Sequence, residues 1–225
     1  VSMMAHMLKS KGYTDSRITI IDPKPKFSKQ GLFAAGWERH YHGVIEWIGP
    51  DIHGGIGAVD VNAGTVETDF DTFSGDLLNI IPAQKAGMIA SQAGLTDESG
   101  FCPIDAETMR SSMDDDIFVI GDACIAGAMP KSGFSANSQA KVAAMNIRGE
   151  LMDAKVFPAR YSNTCWSLID TEDGVKVGAQ YAPQDGQIAS TSSFISETGE
   201  DDAVRKATYE ESLGWYAGIT KDMFG

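Results

Sequence analysis

Apolar positions along this chain switch between a three-to-four spacing and an alternating one, and the switches mark its elements. Met3, Met4, Met7 and Leu8 recur at helical spacing, so Val1–Lys9 is predicted helical, with no N-cap ahead of it. A chain that opens inside a helix is expected to be part of something longer, and any targeting signal would lie in the preceding part. Arg17–Asp22 is a short β-branched run ending on an acid. Such an acid can reach a ribose in a dinucleotide-binding unit, but with no G-x-G-x-x-G ahead of it a strand ending in a turn is the simpler reading. Phe27–Tyr41 reads as a helix and Val44–Ile48 as a strand. Together with Val44–Ile48, the alternating runs Ile56–Val61 and Gly64–Phe70 read as a β-meander closing a sheet. Asp76–Pro82 is predicted to be a compact apolar strand, and Lys85–Ala93 a short helix stopped by Gly94.

In the second half, Asp116–Ala123 is predicted to be a short buried strand running into a small-residue turn. Ser132–Met152 reads as one long helix with Ala-rich packing positions. Beyond Phe157-Pro158 come three strand-like runs, Cys165–Ile169, Val175–Tyr181 and Ile188–Phe194. An acidic helix from Asp201 to about Trp215 follows them. The expected class is α/β, with a boundary near residue 158 and a smaller α+β domain after it.

Composition narrows the function classes. At 43% hydrophobic and 22% charged residues, the chain is that of a folded protein rather than a disordered one. Its formal charge of −13 argues against nucleic acid, which calls for basic patches. A basic protein partner is compatible with that charge, although a solvated acidic surface explains it more simply. No run approaches the roughly 18 apolar residues of a membrane span. Cys102, Cys124 and Cys165 lie far apart with no C-x-x-C pair, which speaks against a structural metal site. His40 and His42, lacking carboxylate or thiolate partners nearby, are expected at the surface.

The candidate chemistry centres on Ile117–Asp122. A hydrophobic strand would deliver Gly121 and Asp122 at its C-terminal edge, where open α/β sheets bind ligands. Gly121 would let a ribityl chain approach the backbone, and Asp122 could accept its hydroxyls. A plain Gly-Asp turn is the competing reading. Met129–Ala136 then leads into the long helix, whose N-terminal N–H groups offer partial positive charge to an electron-rich ring edge, with Lys131 adding to it. Pro130 and Ser132 also serve simply as helix-start residues.

Val119–Ala123 followed by Met129–Gln139 resembles the second flavin-contact block of the flavocytochrome c sulfide dehydrogenase flavoprotein family, a relative of sulfide:quinone reductases and glutathione-reductase-like enzymes. Phe27–Gln30, Gly36–Arg39, Ile80–Pro82, Ala93–Leu95, Asn163–Cys165 and Trp215-Tyr216 through Asp222–Gly225 resemble further family segments in the same order. The resemblance therefore spans essentially the whole chain. It implies a partial two-dinucleotide-binding-domain flavoprotein: residues 1–85 as the remainder of an NAD-type domain, 86–157 as the returning part of the FAD domain, and 158–225 as the C-terminal domain. It also implies FAD contacts at Gly121, Asp122, Ala123, Lys131, Ser132, Gly133, Ser135 and Ala136. Electrons would pass from sulfide through a redox-active disulfide and FAD to a cytochrome c subunit in the periplasm. Cys165 takes the place of one disulfide partner, the other being expected before Val1 together with the FAD-anchoring glycines. Trp215 stands either as a core aromatic or in the segment that approaches the flavin. Cys102 and Cys124 are expected to be buried, inert thiols. This chain alone is expected to be inactive and to hold FAD weakly or not at all. Two other readings stay open: a non-catalytic docking or dimerisation piece, with a homodimer among its forms, and a quinone-reducing parent, which the acidic stretch Glu197–Glu211 disfavours.

Overall fold

The computed structural model describes every residue from Val1 to Gly225. It mixes helices with sheets and sorts into two compact units. The first comprises Val1–Pro82, Ser167–Val175 and Ser196–Ser212; the second comprises Ala83–Trp166, Lys176–Ile195 and Leu213–Gly225.

In the first unit, helix α1 (Ser2–Ser10) precedes a βαβ element. Strands β1 (Ile18–Ile21) and β2 (Ile45–Ile48) pair in parallel, and helix α2 (Gln30–Tyr41) joins them, as a parallel pair requires of its crossover. The core here is aromatic: Trp37 and Tyr41 are buried with Ala5, and Phe27, Phe33 and Trp47 pack around them. Gly36 is needed on α2 because a Cβ there would lie 2.4 Å from Ile169 Cγ2. The acid that ends β1 is spent locally. Asp22 accepts from the Lys24 N–H at 3.0 Å and from Trp47 Nε1 at 3.4 Å, so it serves the turn. After the short helix α3 (Pro50–His53) come β3 (Ile56–Asp60), β4 (Thr65–Thr68) and β5 (Thr72–Ser74). These form their own antiparallel sheet and do not close the β1–β2 pair, which corrects the expected single sheet. Asp76–Pro82 forms no strand: Leu77 and Ile81 are exposed, and no ladder partner lies alongside them.

The second unit opens with helix α4 (Met88–Gln92), shorter than expected. Its end is closed by Gly94 at φ +72° and by the Leu95 N–H bonded to Ala90 O at 2.9 Å. Asp116–Ala123 also departs from expectation. It is extended only in part, makes an isolated bridge from Phe118 to Arg110, and ends in a 3₁₀ turn at Gly121–Ala123. Without a neighbouring strand its backbone groups go to single bridges and turns instead of a ladder. Helix α5 (Gly133–Met152) forms as predicted, with Ser132 in extended geometry as its N-cap. Ser132 Oγ accepts the Ser135 N–H at 3.1 Å, a cap worth about 1 kcal/mol. Val142 and Ala143 of α5 enter a core with Met109, Cys124, Tyr161 and Ile188.

A meander of β6 (Tyr161–Asp170), β7 (Asp173–Gln184) and β8 (Gln187–Ile195) follows, longer at each strand than predicted. The β7–β8 turn is Asp185-Gly186, both at positive φ, the two-residue connection that matches strand twist. Helix α6 (Asp202–Phe224) closes the chain and runs past the expected end at Trp215.

Candidate functional site

The predicted cofactor-contacting residues gather around the start of α5. A cavity of about 370 Å³ there is lined by Gly121, Lys131, Ser132 and Ser135, together with Cys124 and Gln139. Gly121 sits at φ +70°, in the region that favours glycine, and donates its N–H to Gln139 Oε1 at 2.7 Å. Ala136 packs beneath it, since a Cβ at Gly121 would lie 3.4 Å from Ala136 Cβ. Lys131 donates to the carbonyls of Asp122 at 2.6 Å and Cys124 at 3.0 Å and lies 4.1 Å from the Phe101 ring centroid. Its ammonium thus pins the Gly121–Cys124 turn to the approach of α5. Ala123 turns its carbonyl to the Cys102 N–H at 2.9 Å, and the side chain of Asp122 is exposed. Gly133 is the first residue of α5. Its N–H and that of Phe134 have no acceptor within the helix, as at any helix start.

The two positions expected to carry chemistry join this region by different contacts. Asn163, 3% exposed, accepts the Ser132 hydroxyl at 2.6 Å and the Ser135 hydroxyl at 3.2 Å on Oδ1, and donates through Nδ2 to Cys165 Sγ at 3.3 Å. Cys165 is half-buried on β6. Trp215 stacks on Phe134 of α5, with centroids 5.9 Å apart and planes within 6°, and meets Trp166 at 5.5 Å. The Trp166 Nε1 donor is buried without an acceptor.

The other cysteines are inert by environment. Cys102 and Cys124 are fully buried. Burial pushes the Cys124 thiol up to about 11, only partly opposed by Lys131, and burial also raises Cys102. Burial raises Tyr181 as well, and the nearby Cys165 sulfur adds to that rise.

Several residues here were not assigned from the sequence. Gln139 follows Ser132 and Ser135 at helical spacing and so shares their face of α5. Asn163 lies two residues before Cys165 on a strand, and so on the same side of it. Both signals were available in the residue spacing. Gly127 had none: at φ +57°, a Cβ on it would lie 2.5 Å from Ile188 O, a tertiary contact invisible in sequence.

Residues 1–82 match the family described as the sulfide dehydrogenase [flavocytochrome c] flavoprotein chain, central region. Residues 157–224 match the flavocytochrome c sulphide dehydrogenase flavin-binding family. The chain belongs to this flavoprotein family. The α5 start lies between the two matched segments, and Cys165 and Trp215 lie within the flavin-binding one. Among solved structures, a chain of the Tetrahymena thermophila mitochondrial ATP synthase F1Fo composite tetramer shares the fold. It does so at 17% identity and a TM-score of 0.52, over 75% of this chain and 42% of that one, so this chain spans less than half of that relative's length.

The residues present fit a flavin in their donor chemistry. The unbonded Trp166 indole N–H and the first N–H groups of α5 are all donors, suited to an electron-rich ring edge. The cavity wall at Gly121 carries no Cβ. No helix is long and apolar enough to cross a membrane.

The first unit carries a polar cluster that the sequence did not disclose. His40, expected at the surface, is half-buried, with Nε2 2.7 Å from Asp173 Oδ2 and Nδ1 3.2 Å from Asp170 Oδ2. His6 Nδ1 meets the other Asp170 oxygen at 2.5 Å, and Arg205 donates to Asp173 at 2.6 Å. The carboxylates come from the β6–β7 turn, more than a hundred residues downstream of both histidines. His42 is exposed, as expected, but it does have a carboxylate partner, Glu38 one helical turn back at 2.6 Å.

Proposed function

We propose that this chain is part of an FAD-dependent sulfide dehydrogenase of glutathione-reductase-like architecture, working in the periplasm and passing electrons to a cytochrome c subunit. The observation that carries this reading is the hydrogen-bonded path from the α5 cap through Asn163 to Cys165. It joins the residues suited to an electron-rich ring with the thiol suited to disulfide chemistry. FAD, when bound, supplies a two-electron acceptor for reduced sulfur.

The chain's own residues supply the rest. Gly133 and Phe134 present main-chain donors at the positive end of the α5 dipole, which favours negative charge on whatever they face. Gly121 lets a ligand come close to the backbone, and the Lys131 bonds keep that turn in place. Cys165 takes part in thiol–disulfide exchange with a cysteine outside this chain and with sulfide. Phe134, Trp166 and Trp215 pack together beside the α5 start.

The test is Cys165→Ser in the complete flavoprotein with its cytochrome. Sulfide-dependent cytochrome reduction is expected to vanish while bound flavin stays near the parental level. Parental turnover in that variant would reduce Cys165 to a half-buried thiol and overturn the reading.

A further inference from the structure

Asn163 occupies a position that packing alone does not explain. It is a polar side chain, 3% exposed, on β6, and its oxygen and nitrogen turn toward two features of one site. Its Oδ1 receives two hydroxyls, from Ser132 at 2.6 Å and Ser135 at 3.2 Å. Ser132 in turn accepts the Ser135 N–H at 3.1 Å, and of the two acceptors near its hydroxyl, Asn163 Oδ1 at 2.6 Å is closer than Ser135 Oγ at 3.1 Å. With both hydroxyls donating to its oxygen, the amide nitrogen lies toward Cys165 Sγ at 3.3 Å. A neutral thiol gains little from such a donor. A sulfur bearing negative charge gains much more, because charge-assisted hydrogen bonds are roughly twice as strong as neutral ones.

We infer that Asn163 is a positioning residue for Cys165: its amide, oriented by the α5 cap, donates an N–H to the sulfur and favours the thiolate. This rests on the reading of Cys165 as the reacting thiol, and it adds a route by which the helix start acts on that thiol as well as on a ligand. The Ser132–Ser135 pair then has two duties, capping α5 and holding the Asn163 amide.

The experiment uses the 225-residue chain itself, reduced and without flavin. Iodoacetamide labelling at one neutral pH is followed by mass spectrometry, with the ultraviolet thiolate absorbance lost in Cys165→Ser as a second readout. Asn163→Leu removes the donor without adding charge, and Asn163→Asp keeps the shape but presents an oxygen. Both are expected to slow Cys165 labelling roughly tenfold and to lower the thiolate absorbance, while Cys102 and Cys124 stay protected. Should either substitution prevent folding, the Ser132→Ala/Ser135→Ala double variant, which frees the amide to turn, is expected to slow labelling severalfold. Labelling at or above the parental rate in folded variants would overturn the inference. Because no flavin enters the assay, failure of the sulfide dehydrogenase reading would leave these rates as expected. Unchanged rates beside an inactive Cys165→Ser enzyme would sink the role of Asn163 alone.

Discussion

At Gly127 the loop that lines the α5 cavity is pressed against β8. The Ala128 N–H bonds Ile188 O at 2.9 Å, and the same carbonyl lies 2.5 Å from where a Gly127 Cβ would stand. With φ at +57°, a side chain there is strained both by backbone conformation and by contact with main chain that cannot yield. Gly127→Ala is therefore expected to cost about 1–3 kcal/mol, read as a lower urea midpoint at unchanged slope. Gly133 makes the control: nothing lies within 4 Å of its would-be Cβ and its φ is not positive. Gly133→Ala is expected to be neutral or to stabilise by up to about 1 kcal/mol. Equal losses from both substitutions would show that the Gly127–Ile188 contact does not hold the loop. The two glycines look alike in sequence, six residues apart in one small-residue stretch. Only the fold separates them, because the atom that forbids a side chain at Gly127 belongs to a strand sixty residues away. Gly121 differs: its place after a hydrophobic run and before a helix start made it legible as a turn that needs glycine.

Elements whose partners lie close in sequence were legible. The segments of β1, α2 and β2, α5 with its Ser132 cap, and the three strands β6, β7 and β8 each carry their own period and stop signals, although β2 was expected with the meander after it and not beside β1. The expected strands at Asp76–Pro82 and Asp116–Ala123 were misread for one reason. Apolar, β-branched composition records that a segment suits a ladder, whereas a strand exists only where another edge accepts its N–H and C=O groups. Long-range ion pairs were hidden in the same way. His6 on α1, His40 on α2 and Arg205 on α6 converge on Asp170 and Asp173 at the β6–β7 turn, tying the three helices to that turn. Burial drives the Asp170 carboxyl upward, but the Thr171 N–H, the His6 hydrogen bond and the His40 and His6 charges outweigh it and hold the group below its ordinary 3.8. A carboxyl depressed in the folded state adds stability that is full above its unfolded value and is lost as pH falls through the folded one. Asp170→Asn is thus expected to destabilise the protein by about 1.5–3 kcal/mol at neutral pH, with the gap to the parent closing below pH 4. Chemical denaturation at neutral pH and near pH 3 measures this; a gap that stays constant across that range would remove Asp170 ionisation from the account.

For the whole chain, the decisive quantity is how much of a flavin site these 225 residues supply. The second unit brings the Gly121 turn and the α5 start around one cavity of about 370 Å³, and Phe134 of α5 stacks with Trp166 and Trp215. A dinucleotide asks for more than that. Its pyrophosphate is held by a glycine-rich strand-to-helix turn, and no G-x-G-x-x-G occurs anywhere in the sequence. Affinity rests on a few fully desolvated anchors, and a site that held a ring edge without the pyrophosphate would forfeit the charged ones. The chain by itself is accordingly expected to bind FAD more weakly than about 1 μM, short of roughly 8 kcal/mol, and to lose it on gel filtration. FMN and riboflavin, which lack the adenylate half, are expected to bind within about tenfold of FAD, because the half they lack finds no partner here. Titration of each flavin against the chain, followed by fluorescence, measures both expectations. A yellow, stoichiometric FAD complex surviving gel filtration would mean that the α5 region alone holds the whole cofactor. A preference for FAD over riboflavin far beyond tenfold would locate an adenylate site within these residues that the glycine pattern does not reveal.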